Sequence, residues 1–109
     1  MKLECAETIS ASNATETDIR KAFADDQGRG EFIILSEAEE VYIQASGESN
    51  GPYTLEYREG DARRHFQCTR DLQKGEVEAA FLKYLQRDAT WKSAFLWTKL
   101  EAKPWWKFW

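Results

Sequence analysis

The chain has 109 residues, 42% apolar and 31% charged, with a formal net charge of −4. That balance fits one domain with a real hydrophobic core and excludes an intrinsically disordered segment. No run approaches the roughly 20 apolar residues of a membrane-spanning helix, and Met1 to Ser10 lacks an apolar signal core, so the sequence predicts a cytoplasmic protein with no membrane role.

Charge is divided unevenly along the chain. Residues 1–50 hold 4 Lys/Arg against 11 Asp/Glu, a balance of −7, and residues 51–109 hold 11 against 8, a balance of +3. An acidic half is a poor surface for phosphates and a suitable one for a basic protein, so the sequence points to a basic protein partner and away from nucleic acid. A solvated acidic face with no partner is the plainer alternative.

Met1–Thr8 reads as a short edge strand with Leu3 and Cys5 on one face, and Ser10–Asn13 as a loop. Thr15-Glu-Thr-Asp18 has the form of a capping box, and Ile19, Ala22 and Phe23 follow at helical spacing. Gly28 and Gly30 end that helix. A β-meander comes next. Phe32–Ser36 is a run of β-formers, and Val41–Ser46 alternates Val41, Ile43 and Ala45 with Tyr42 and Gln44. Gly47–Pro52 is a turn-rich loop. Tyr53–Glu59 alternates Tyr53, Leu55 and Tyr57 with Thr54, Glu56 and Arg58. After a turn at Gly60-Asp61, Arg64–Thr69 places Phe66 and Cys68 inward and His65 and Gln67 outward.

A second helix is expected from about Lys74 to Arg87, with Val77, Ala80, Phe81, Tyr84 and Leu85 as its apolar stripe. Asp88–Lys92 is a turn or short helical element, and Ala94–Glu101 a last strand carrying Phe95 and Trp97 on one face and Leu96 on the other. The predicted class is α+β: an antiparallel β-meander of four or five strands, covered on one face by two helices, in a single domain spanning residues 1–109.

Little in this chain is equipped for catalysis. His65 is the one histidine, and Cys68, three residues along the same strand, faces the other side of the sheet. One histidine and the two distant cysteines Cys5 and Cys68 match no zinc spacing, and Asp25-Asp26-Gln27-Gly28 lacks the ligand alternation of a calcium loop. Gly28-Arg29-Gly30 is too short for a phosphate loop. The sequence therefore predicts a non-enzymatic protein with no metal and no cofactor. The cysteines read as buried free thiols, with one disulfide as the alternative, and the Asn13-Ala14-Thr15 sequon matters only in a secretory pathway.

One constellation stands out. Pairing across Gly60-Asp61 would set Glu56 opposite His65 and Thr54 opposite Gln67, so that Tyr42, Gln44, Glu56, Arg58, His65 and Gln67 form one polar patch on the outer sheet face. Its readings are a partner contact, a plain solvated sheet, or a small enzyme using the Glu56 and His65 face as an acid–base pair. Glu37, Glu39 and Glu40 lie in a β-turn, as a solvated loop or as contacts for a partner's basic side chains. The tail holds Trp105, Trp106 and Trp109, and three roles stay open for it: core completion, a dimer or partner interface, and a membrane-surface anchor.

Gly51-Pro-Tyr-Thr-Leu-Glu-Tyr-Arg58, Arg64-His-Phe66, Phe81-Leu-Lys-Tyr-Leu85 and the pair Trp91 and Trp97 carry a resemblance. Over about residues 30–100 the chain is similar to small bacterial immunity proteins encoded beside polymorphic toxins. The resemblance implies a cytosolic antitoxin that neutralises a cognate effector by direct binding, and many such effectors are basic. A homo-oligomeric interaction domain using the tail and last strand is the alternative.

Overall fold

A computed structural model describes residues 1–5, 8–24, 32–47 and 52–100. Its strands are β1 (Lys2–Cys5), β2 (Thr8–Ala11), β3 (Phe32–Ala38), β4 (Val41–Gly47), β5 (Tyr53–Glu59), β6 (His65–Cys68) and β7 (Trp97–Leu100). Its helices are α1 (Glu16–Ala24), α2 (Lys74–Leu85) and the single turn α3 (Thr90–Ser93). The strands form one open antiparallel sheet in the order β2-β1-β3-β4-β5-β6-β7.

The α+β class and the antiparallel sheet are as expected, but the sheet is seven-stranded rather than four- or five-stranded. The difference begins at the N-terminus. The segment expected to be one edge strand and a loop forms the antiparallel pair β1 and β2, which leaves β1 inside the sheet between β2 and β3.

Period-two alternation decides which side chains are buried. Ladder pairing aligns Leu3, Leu35, Ile43, Tyr57 and Phe66 across five strands, and Cys5, Ile33, Ala45 and Leu55 in the next row. Most of these are buried, and they share one cluster with Ile19 and Phe23 of α1 and with Val77, Ala80 and Phe81 of α2. Each fully buried aliphatic or aromatic side chain contributes about 1.5–3 kcal/mol. Phe23 sits edge-on to Phe81, with centroids 5.1 Å apart, and to Tyr53 at 6.2 Å.

The helix ends follow local chemistry. At α1 the Asp18 N–H donates to Thr15 Oγ1 (3.2 Å) and the Thr15 N–H donates to Asp18 Oδ2 (2.9 Å), so the capping box forms. Helix α2 stops at Leu85, two residues short of the expected end, because Arg87 adopts a left-handed φ of 60°.

Two other expectations are revised. The last strand begins at Trp97 rather than Ala94. The Phe95 N–H is held by the Lys92 carbonyl, and Leu96, 77% exposed, precedes the strand instead of lying in it. Strands β5 and β6 pair with Arg58 opposite His65 and Glu56 opposite Gln67, two residues away from the expected register. A 3₁₀ turn over Ala62–Arg64, capped by the Asp61 carboxylate on the Arg63 N–H (2.8 Å), widens that connection. An even slip keeps every side chain on its face. Cys5 and Cys68 are free thiols, as expected, although Cys5 is only partly buried. They lie on β1 and β6, four strand spacings apart, roughly 19 Å at about 4.8 Å per spacing, far beyond disulfide reach.

Candidate functional site

The outer sheet face is the one turned away from the shared core. On it, strand register sets two adjacent rows across β4, β5 and β6: Tyr42–Arg58–His65 and Gln44–Glu56–Gln67. All six residues singled out in the sequence patch therefore lie together. Strands β3 and β1 extend the rows with Ser36 and Lys2, and with Ile34 and Glu4. The sequence did not reveal this extension, since nothing in it marks β1 as the neighbour of β3.

A chain of charge-assisted contacts crosses the first row. Arg58 Nη1 donates to Glu40 Oε2 at 2.5 Å, while Arg58 Nε and Nη2 lie 3.2 and 3.1 Å from His65 Nδ1. His65 Nε2 lies 2.9 Å from Glu56 Oε1. A guanidinium can only donate, so Nδ1 must be the acceptor, and Nε2–H donates to the Glu56 carboxylate. The Arg58 guanidinium rests over the Tyr42 ring at 5.8 Å, and the Tyr42 and His65 rings meet edge to face at 6.1 Å. Burial lifts the Tyr42 phenol above its ordinary range, against the opposing pull of Arg58. The Glu40 hydrogen bond and nearby negative charge raise Arg58 further.

These side chains are sheltered: 14% of the His65 side chain, 17% of Glu56 and 23% of Arg58 are exposed. They shield one another. The anchor of the network is the turn between β3 and β4. The Gly60 N–H donates to the Glu40 carbonyl at 2.7 Å, which ties that turn to the end of β5 and holds the Glu40 carboxylate over Arg58.

The acidic run does not act as one group. Glu40 joins the network, Glu37 forms an ion pair with Arg87 beyond α2, and Glu39 stays exposed on the turn. Glu39 borders a groove of about 580 Å³ whose floor includes Ile34, Ser36, Tyr42 and Gln44 and whose other wall includes Glu4. The outer face is thus hollowed at one end, not flat. Trp105, Trp106 and Trp109 lie outside the described residues.

The geometry constrains chemistry. Both His65 ring nitrogens are committed, one to Arg58 and one to Glu56, and Cys68 is buried on the opposite face. Among the described residues no group of three His, Cys, Asp or Glu side chains is placed to hold a metal ion. Among them, too, no helix is long and apolar enough to cross a membrane. No protein-family model, no curated protein and no solved structure matches the chain.

Proposed function

We propose that this chain is a non-catalytic binding domain that uses its outer sheet face to engage a basic protein, in the manner of an immunity protein neutralising a cognate bacterial toxin. In this reading the two helices pack on one face of the sheet and leave the other as the contact surface. The observation that carries it is the half-buried network Glu40–Arg58–His65–Glu56 on the sheet face opposite the apolar core cluster. Fixed charged groups of this kind lower the ordering cost of association. The carboxylates of Glu4, Glu39, Glu40 and Glu56 outnumber Lys2 and Arg58 there, so the face is acidic and suits a basic surface.

An acid–base role for Glu56 and His65 is less well supported, because a shuttle needs a ring nitrogen free to meet substrate and both are engaged. The test is to co-express the chain with the product of the neighbouring gene and follow association by stopped flow. The expected result is a stable complex whose association rate falls as salt rises and whose dissociation quickens with Tyr42→Ala or Arg58→Ala. A complex indifferent to both substitutions would remove the outer face from the interface. Turnover of any substrate lost on His65→Ala would replace this reading with the enzymatic one.

A further inference from the structure

The second row of the outer face has a composition unlike the first. Gln44, Glu56 and Gln67 stand directly opposite one another on three adjacent strands, a carboxylate flanked on each side by a primary amide. Neighbouring strands are about 4.8 Å apart, so the three polar ends span roughly 10 Å. Glu56 Oε1 is taken by His65, and among the described residues Oε2 and the two amides make no side-chain hydrogen bond. All three residues are only partly exposed. Such groups gain most from a partner that brings matching donors.

We propose that this row is a seat for a single arginine side chain presented by the basic partner. The inference rests on the binding reading given above and names the chemistry of its central contact. A guanidinium is planar and carries five N–H donors in a fixed fork. It can place donors on Glu56 Oε2 and on the amide oxygens of Gln44 and Gln67 together, which the compact ammonium of lysine cannot do. The carboxylate is already oriented: Glu56 is fixed by His65, His65 by Arg58, and Arg58 by Glu40. Arg58 does not repel the newcomer strongly, because its own charge is matched by Glu40 at 2.5 Å. Beside the row, Ile34 lies opposite Gln44 on the groove floor and offers an apolar rest for the methylene stem.

The probe is a capped Gly-Ser-Arg-Ser-Gly peptide, with lysine and citrulline counterparts, titrated at low salt into the isotope-labelled full chain and followed by NMR. The arginine peptide is expected to shift the Gln44 and Gln67 side-chain amide signals and the His65 ring N–H. The lysine peptide should shift them at least threefold less, and the neutral citrulline peptide hardly at all. Glu56→Gln keeps an acceptor for His65 and removes the charge, and should weaken the arginine titration at least fivefold at an unchanged melting temperature. Gln67→Ala should bring the arginine and lysine responses close together. Equal responses to arginine and lysine, shifts confined to the Glu39–Glu40 turn, or a folded Glu56→Gln variant that titrates like wild type would each overturn the proposal. A protein complex that depends on Tyr42 and Arg58 but not on Glu56 would overturn this inference and leave the binding reading standing. A complex independent of the whole face would remove both.

Discussion

Replacing Phe23 by alanine tests how the first helix is held to the rest of the molecule. Helix α1 has nine residues, too few to persist alone in water, and its buried side chains are Ile19 and Phe23. Phe23 is 1% exposed and touches both Phe81 of α2 and Tyr53 of β5. Truncating a buried phenylalanine costs about 3–5 kcal/mol through lost transfer energy and the cavity left behind. Because a short helix can settle partly into the gap, a cost of about 3–4 kcal/mol is expected, a large share of the roughly 5–15 kcal/mol that stabilises a domain of this size. Urea unfolding of wild type and Phe23→Ala would measure it, and a cycle of Phe23→Leu, Phe81→Leu and the double variant would isolate the ring pair. The edge-on ring pair should show as a coupling of about 0.5–1.5 kcal/mol. A Phe23→Ala cost below about 1 kcal/mol at an unchanged m-value, or strict additivity of the leucine pair, would refute the packing of α1 against α2 and β5.

Other outcomes follow from single positions. Gly60 has a φ of +112° and an added Cβ would lie 2.7 Å from Arg64 Nη2, so Gly60→Val should cost about 1–3 kcal/mol in a thermal or urea melt; an unchanged melt would contradict that backbone. Burial pushes the Tyr84 phenol up to about 12, with Glu37 adding to the rise and Arg87 opposing it. The native state therefore keeps its proton after the unfolded chain has lost it near pH 10, so stability should fall as pH rises from about 10 to 12. The Tyr84 hydroxyl is buried with no hydrogen-bond partner among the described residues, so Tyr84→Phe should hold or raise the melting temperature at neutral pH and flatten that alkaline loss. A variant that keeps the full alkaline loss would assign it to another group. Since Cys5 and Cys68 are too far apart to bridge, adding a thiol reductant should leave the melting curve of the monomer unchanged.

The parts of this fold that the sequence discloses are those governed by local rules. Val41, Ile43 and Ala45 against Tyr42 and Gln44, and Tyr53, Leu55 and Tyr57 against Thr54, Glu56 and Arg58, mark faces without any knowledge of neighbours. The Thr15 and Asp18 capping box is equally local. What depends on pairing is hidden. The weakly patterned Thr8–Ala11 becomes a strand only because β1 pairs with it. The two-residue register change at β6 depends on a 3₁₀ turn, for which Asp61 capping Arg63 is the available signal. The position of the patch residues was legible because an even register error leaves them on their face, whereas the partnership of Glu40 with Arg58 was not. That partnership depends on the Gly60 N–H meeting the Glu40 carbonyl across two different turns.

The strand order also says how the molecule can be assembled. From β3 through β6 each strand pairs with the next in sequence, so the ladders carrying Ile34, Gln44, Glu56 and Gln67 close over short loops. Short closures cost little chain entropy, and chains built from them fold quickly for their size. Strands β1 and β7 must wait, since Lys2 meets Ser36 across β2 and α1, and His65 meets Leu100 after the chain has travelled through α2 and α3. The part of the outer face on β3 through β6 is thus drawn from strands that zip first, and its polar rows can be in place before β1 and β7 dock. In a set of core truncations, changes at Ile43 or Leu55 should mainly slow folding, and changes at Trp97 should mainly hasten unfolding.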